Sequence, residues 1–228
     1  MLEIISRRIV WISVVLSVGV TGCASTATKE ETQGTVNEAE ATLNNFRNDP
    51  EMKWFRDNVG KARAVLISPR ILQAGFIVGG SSGKAVALAH SGGKMDWVGP
   101  AFYRVSTGSL GLQAGAQSVE MVALIMTEKA LNSLLSSAFK FGGDVSVAVG
   151  PVGAGAGAQI NSDIVVFTRS KGLYGGINLD GTAITVSDED NKTYYGRAVT
   201  PVDILIKRNV TNPGGASLQK SMAAAAGG

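Results

Sequence analysis

The spacing of apolar residues changes twice along this chain. Met52, Phe55, Val59, Ala62 and Leu66 recur every three or four residues, which predicts one apolar face of a helix over 52–66. A helix-favouring stretch, EAEATLNNF, precedes it from near Asn37 or Glu38, with Pro50 placed to restart the helix as a first-turn residue. From Gln73 the period shortens. AGFIVGG and KAVALAH, separated by Ser81-Ser82-Gly83, then AFYRVS, SLGLQAG and VEMVALIMT read as short strands bounded by glycine or polar turns. Val119, Val122, Leu124 and Met126 do not alternate cleanly, the pattern of a strand buried on both faces. Thr127 is placed to cap a helix through EKALNSLLSSAF, stopped by Gly142-Gly143. DVSVAVG, DIVVFTR, GLYGGINL and TAITVS are further strands, and DEDNKTYYG a short helix or turn. Thr200-Pro201-Val202-Asp203 opens a last helix that continues through ILIKRNV. The pattern predicts an α+β domain: a glycine-rich, mainly antiparallel sheet or barrel-like core with an N-terminal amphipathic helix and terminal helices.

The first residues follow a different logic. Arg7 and Arg8 precede an apolar run from Ile9 to Val20, too short for the ~20 residues that span a bilayer. The run closes in Val20-Thr21-Gly22-Cys23, with small residues before the sole cysteine. This resembles the bacterial lipobox, in which the thiol of Cys23 is acylated and the chain is cut just before it. The expected organisation is a signal peptide over 1–22, a lipidated tether over 23–37, the domain over 38–222 and a disordered tail over 223–228. Taking the first 22 residues from 228 leaves 206. The expected location is a cell-envelope membrane, the outer one in a Gram-negative host because Ala24 rather than aspartate follows the cysteine.

Composition narrows the chemistry. Glycine supplies 29 of 228 residues without a Gly-X-Y repeat, so backbones are expected to approach closely. Gly153, Gly155 and Gly157 alternate with Ala154, Ala156 and Ala158, which suits backbone packing better than an acyl groove. A net charge of +3, with no basic block, is not a nucleic-acid footprint. Gly79-Gly80-Ser81-Ser82-Gly83 matches a nucleophile-elbow pattern, but the single histidine, His90, follows Ser81 with no acid between them, against the required chain order. The run to Lys84 is one residue short of a phosphate loop and ends in Ala85. One histidine and one acylated cysteine leave little for zinc. No cofactor and no enzymatic activity are expected. Asp188-Glu189-Asp190-Asn191 lacks calcium-loop spacing and reads as a solvated acidic turn.

One segment carries a resemblance. Ser170-Lys171-Gly172-Leu173-Tyr174-Gly175-Gly176-Ile177-Asn178-Leu179-Asp180-Gly181, followed by Tyr194-Tyr195-Gly196, is similar to the signature of the SYLF family. Ala74-Gly75-Phe76, the glycines at 79, 80 and 83, Trp97-Val98-Gly99-Pro100-Ala101-Phe102 and Gly111-Leu112-Gln113-Ala114-Gly115 also fit, so the likeness runs from about Lys61 to about Val210. It implies binding of phosphoinositide or other anionic lipid, helped by an amphipathic N-terminal helix. Actin binding belongs to part of the family only and is not carried over. The candidate lipid-binding residues are Lys53, Phe55, Arg56, Lys61 and Arg63, an apolar face with basic flanks suited to an anionic interface. The competing reading packs that face on the sheet and leaves the bases in water. An envelope scaffold and a lipid carrier with an internal cavity are the alternative functions.

Overall fold

The computed structural model describes residues 27–75, 78–90, 96–110, 115–153, 160–171, 179 and 181–227. Cys23, most of the glycine–alanine alternation and most of the Ser170–Gly181 motif lie outside the described residues.

The chain opens on α1 (Lys29–Asn48), which begins well before Asn37, inside the stretch read as tether. Thr28 starts it with a capping box: its side chain accepts from the Glu31 N–H, and the Glu31 carboxylate accepts from the Thr28 N–H. The predicted helix over 52–66 is shorter than its period suggested. α2 covers Lys53–Asn58 and a single tight turn covers Val59–Lys61. β1 (Ala64–Gly75) then begins, so Leu66 sits on a strand. β2 (Val78–His90) runs through Ser81-Ser82-Gly83 without a break. β3 (Trp97–Leu110) and β4 (Gly115–Ile125) follow.

α3 (Glu128–Leu135) is capped by Thr127, as predicted. β5 (Ala138–Lys140), β6 (Val147–Val149), β7 (Ile164–Lys171) and β8 (Ala183–Val186) complete the strands. α4 (Asp188–Tyr195) and α5 (Ala216–Ala226) close the chain. Between them, Val202–Ile206 makes only one wide turn, where a longer helix was expected. The stretch expected to be disordered from 223 is helical through Ala226, with Ala223 and Ala225 buried in α5.

The eight strands form one sheet in the order β5-β8-β3-β2-β1-β4-β7-β6. All neighbours pair antiparallel except β6 with β7. The sheet curls into a half-barrel, and a bridge between Phe141 and Val145 links the β5 and β6 ends. Its centre is buried on both faces, which is why β4 reads as a continuous apolar run. Val65, Ile67, Val86, Leu88, Phe102, Val122 and Phe167 face α1, α2 and α5. Leu66, Ile71, Tyr103, Met121 and Ile125 face the inside of the curl with α3. All these elements and both cores lie within residues 27–227, so this stretch contains its own folding core.

β1 carries one extra residue. Ile67 pairs with Val86 and Arg70 with Lys84, while on the other side Ser68 pairs with Met121 and Ile71 with Val119. Both neighbours thus skip one residue where β1 uses two, a bulge that includes Pro69. Gly83 lies against it. A Cβ there would collide with the Arg70 carbonyl oxygen, so only glycine lets the two strands close.

Candidate functional site

The segment over 53–63 is a core element. Phe55 is fully buried and packs edge-on against Phe167 and tilted against Phe46, at centroid distances of 5.6 and 6.2 Å. Met52, Val59 and Ala62 are buried in the same cluster. Phe55 is therefore corrected from membrane contact to core, because burying it on the sheet removes more apolar surface than a helix free of the domain could. Arg56 donates to the backbone carbonyls of Arg47, Asp49 and Pro50, tying the end of α1 to α2. Lys53 pairs with Asp57 at 2.6 Å, Lys61 bonds the Asn58 side chain at 2.9 Å, and Arg63 meets Glu128. These last three keep exposed charges but share no apolar surface.

A different set of cations is brought together by strand register. Arg70 on β1 pairs with Lys84 on β2, which pairs with Arg104 on β3. All three face the helical side of the sheet, at the level where α1 ends its cover. Glu120 on β4 lies opposite the bulge and pairs with Arg169 on β7, extending the row. Adjacent strands lie ~4.8 Å apart, and like charges placed directly opposite destabilise a sheet.

Carboxylates from the helices offset part of this. Glu38 on α1 meets Arg70 at 3.2 Å, Asp190 on α4 meets Lys84 at 2.9 Å, and Asp49 lies 3.8 Å from Arg169. Arg169 also lies over the Phe46 ring, 5.9 Å from its centroid. Arg104 is exposed and has no ion-pair partner among the described residues.

Asp190 and its neighbours correct the acidic-turn expectation. Asp190 is buried and accepts from Ser187 Oγ at 2.7 Å as well as from Lys84. Asn191, also buried, accepts from the Phe102 N–H at 2.9 Å and donates to its carbonyl at 3.2 Å. Tyr195 donates to the Pro100 carbonyl at 2.8 Å, and burial pushes the Tyr194 hydroxyl up to about 12. The two tyrosines dock α4 onto the start of β3.

Beyond the row the strands run on without α1 above them. The next level pairs Ser106 with Ser82 and Ser82 with Leu72, which is 59% exposed. Arg70, Lys84, Arg104, Glu38, Ser82 and Leu72 line an open cleft of about 380 Å³. The cleft's other wall, toward the start of α1, is acidic with Glu31 and Glu189.

No catalytic pairing forms at Ser81 and His90. They lie on one strand nine residues apart, roughly 30 Å at strand rise. Ser81 is buried, and His90 packs edge-on against Trp97 at 5.2 Å. Among the described residues no group of three His, Cys, Asp or Glu side chains could hold a metal ion, and no helix is long and apolar enough to cross a membrane.

A family model described as Ysc84, Las17-binding protein actin regulator, matches residues 106–225. Protein YSC84 of Saccharomyces cerevisiae is 30% identical over 145 residues, 60% of this chain and 31% of that protein. SH3 domain-containing YSC84-like protein 1 of Bos taurus is 28% identical over 173 residues, 73% of this chain and 50% of its own length. LAS seventeen-binding protein 3 of Saccharomyces cerevisiae is 30% identical over 145 residues, 60% of this chain and 31% of that protein. This chain thus spans half or less of the length of these relatives. No solved structure matches. The matched span holds β4, β7, β8 and both closing helices, more than half of the 228 residues, and the chain belongs to the Ysc84, or SYLF, family.

Proposed function

We propose that this protein is a non-catalytic lipoprotein, anchored through Cys23 in a cell-envelope membrane, whose domain binds anionic phospholipid surfaces, phosphoinositide-type headgroups included. The observation that carries this reading is the Arg104–Lys84–Arg70 row beside exposed Leu72. Clustered cations next to an apolar side chain, on a sheet face that the helices leave open, suit a charged lipid interface. Lys53, Lys61 and Arg63 add exposed positive charge elsewhere on the domain and would contribute long-range attraction. Phe55 and Arg56 act in the fold.

The test is co-sedimentation of the chain lacking residues 1–23 with phosphatidylglycerol vesicles and with phosphatidylcholine vesicles. Binding to the first alone, weakening as salt rises, is expected, since exposed charges are screened beyond ~8 Å at physiological ionic strength. Equal sedimentation with both would reject the electrostatic reading. The anchor is tested separately by metabolic labelling with a palmitate analogue, which Cys23→Ala should abolish.

A protein-interaction module is the second reading. It rests on the relatives' names, which describe an actin regulator and binding to another protein.

A further inference from the structure

We infer that the groove between α1 and the loop at Asn212 is a binding site for an uncharged acetamido sugar, held by the side-chain amides of Gln33 and Asn37. The inference stands apart from the lipid reading and uses the other flank of α1 from the cationic row. Three observations carry it.

The first is a built array of amides. The groove has a volume of about 510 Å³, within the range of small-molecule sites, and Gln33, Asn37, Asn212 and Tyr194 line it. Gln33 Nε2 donates to the Gly214 carbonyl at 3.0 Å and to Asn37 Oδ1 at 2.8 Å. Asn212 accepts from the Gly214 N–H at 2.8 Å and donates to the Tyr194 carbonyl at 2.6 Å. These bonds fix the amides before any ligand arrives. They leave Gln33 Oε1 as an acceptor and Asn37 Nδ2 as a donor, neither with a hydrogen-bond partner among the described residues. An acetamido group offers the converse pair, an N–H and a carbonyl oxygen.

The second is room and polarity that the fold itself does not use. Glycine weakens a helix interior relative to alanine, yet a Cβ on Gly34 would meet nothing within 4 Å. No contact inside the domain calls for glycine there. What its absent side chain provides is approach to the helix beside Gln33 and Asn37. Tyr194, only 6% exposed, lines the same groove, and its hydroxyl has no hydrogen-bond partner among the described residues. That hydroxyl lies next to Gly215, in the loop that walls the groove opposite α1. Buried polar groups are nearly always paired, so this one marks a polar partner that the chain does not supply.

The third is what the groove lacks. Lys29 and Glu30, its two charged lining residues, are exposed, adjacent and opposite in sign, so no net charge selects an ion. No Leu, Ile, Val, Met or Phe lines it, which leaves no seat for an acyl chain or for the apolar anchors of a bound helix. Its walls are a helix and a loop, without the open strand edge that an extended peptide pairs with. A saccharide needs none of these, because its hydroxyl and acetamido groups both donate and accept.

The experiment titrates the chain lacking residues 1–23 with N,N′-diacetylchitobiose and with cellobiose, the same disaccharide frame without acetamido groups, by calorimetry. Binding of the first alone is expected. Asn37→Asp keeps the oxygen that Gln33 bonds and removes the donor, so affinity should fall about fivefold. Gly34→Gln should raise the melting temperature, because it restores a helix-favouring residue in open space, yet abolish binding by occupying the groove. Arg104→Gln, on the other flank of α1, should bind the sugar as the wild type does. Binding of neither disaccharide overturns the inference, as does equal binding of both. Full affinity in Gly34→Gln, or a lowered melting temperature there, also overturns it, since the space would then not be a free groove. Displacement of the sugar by N-acetylalanine amide at lower concentration would make this a peptide site and overturn the sugar assignment. None of these results bears on vesicle binding, so the lipid reading stands or falls separately.

Discussion

Asn191 stands in for a strand residue beside Phe102. Its amide accepts from the Phe102 N–H and donates to the Phe102 carbonyl, at 2.9 and 3.2 Å, within the buried interior. The Ser187 N–H also reaches that carbonyl at 3.0 Å, so the start of α4 continues the ladder past the end of β8. Asn191→Ala leaves the Phe102 N–H without its partner. The expected loss is about 2–3 kcal/mol, several degrees in melting temperature, measured by denaturant and thermal unfolding.

Phe55→Ala separates the two readings of the 53–63 segment. Its ring fills the core between Phe46 and Phe167, so the substitution should cost about 3–5 kcal/mol of stability. Lys53→Glu, on an exposed side chain, should change stability by less than about 0.5 kcal/mol. An unaltered melting temperature in Phe55→Ala would restore a surface role.

The end of α5 packs against the turn after α2. A Cβ on Gly60 would lie 2.5 Å from the Ala226 carbonyl oxygen. Gly60→Ala should therefore destabilise the full chain by about 1 kcal/mol or more, as overpacking does. In a chain ending at Met222 the same substitution should have little effect, because the colliding group is gone. Equal costs in both backgrounds would show that the two segments do not touch.

Asp163 gives the fold an acid-sensitive joint. It accepts from the Thr127 hydroxyl at 2.8 Å and from the Ser146 N–H and hydroxyl at 2.9 Å each. The Ser146 backbone bond leads in holding its carboxyl well below the usual carboxylate range, followed by the Thr127 hydroxyl. The folded state thus resists protonation longer than the unfolded one. Stability from Asp163 is complete above the unfolded value near 4 and drains away as pH falls toward the folded value. Asp163→Asn should be less stable by about 1–2 kcal/mol at pH 7, with the gap to wild type closing below pH ~4. A gap that stays constant down to pH 2 would contradict this.

The strands were the most legible part of the chain. β7 and β4 declare themselves as apolar runs, and Thr127 announces α3, because both signals are local. The start of α1 is hidden in the sequence because threonines occupy much of its buried face. Thr32 and Thr35 are buried, yet their hydroxyls bond carbonyls of their own helix, Lys29 at 2.9 Å and Glu31 at 3.0 Å. They therefore pack outwardly as methyl groups while reading as polar. Leu66 extended the helical period by coincidence, since it faces the opposite core from Phe55. Ser81-Ser82-Gly83 read as a break because nothing in the sequence reveals the close passage beneath Arg70.

The candidate site was hidden for a different reason. Arg70, Lys84 and Arg104 are 14 and 20 residues apart in the chain, and only pairing register sets them in a line. The basic residues that sequence alone brought together, around Phe55, owe their grouping to a short helix whose apolar side is committed to the interior.

The extra residue at Pro69 acts as a parity switch for the central strand. Before it, odd-numbered side chains such as Val65 and Ile67 face the helices; after it, Ile71 faces inward with Leu66. Arg70 and Leu72 thus reach the cleft as even-numbered positions. Removing one residue between Ile67 and Arg70 would take out the bulge and leave Arg70 opposite Lys84 and Ile71 inward, whereas removing Ile71 itself would turn Leu72 toward the interior. Loss of one residue at the bulge should therefore disturb the cleft far less than loss of one residue later in β1, which would exchange its two faces.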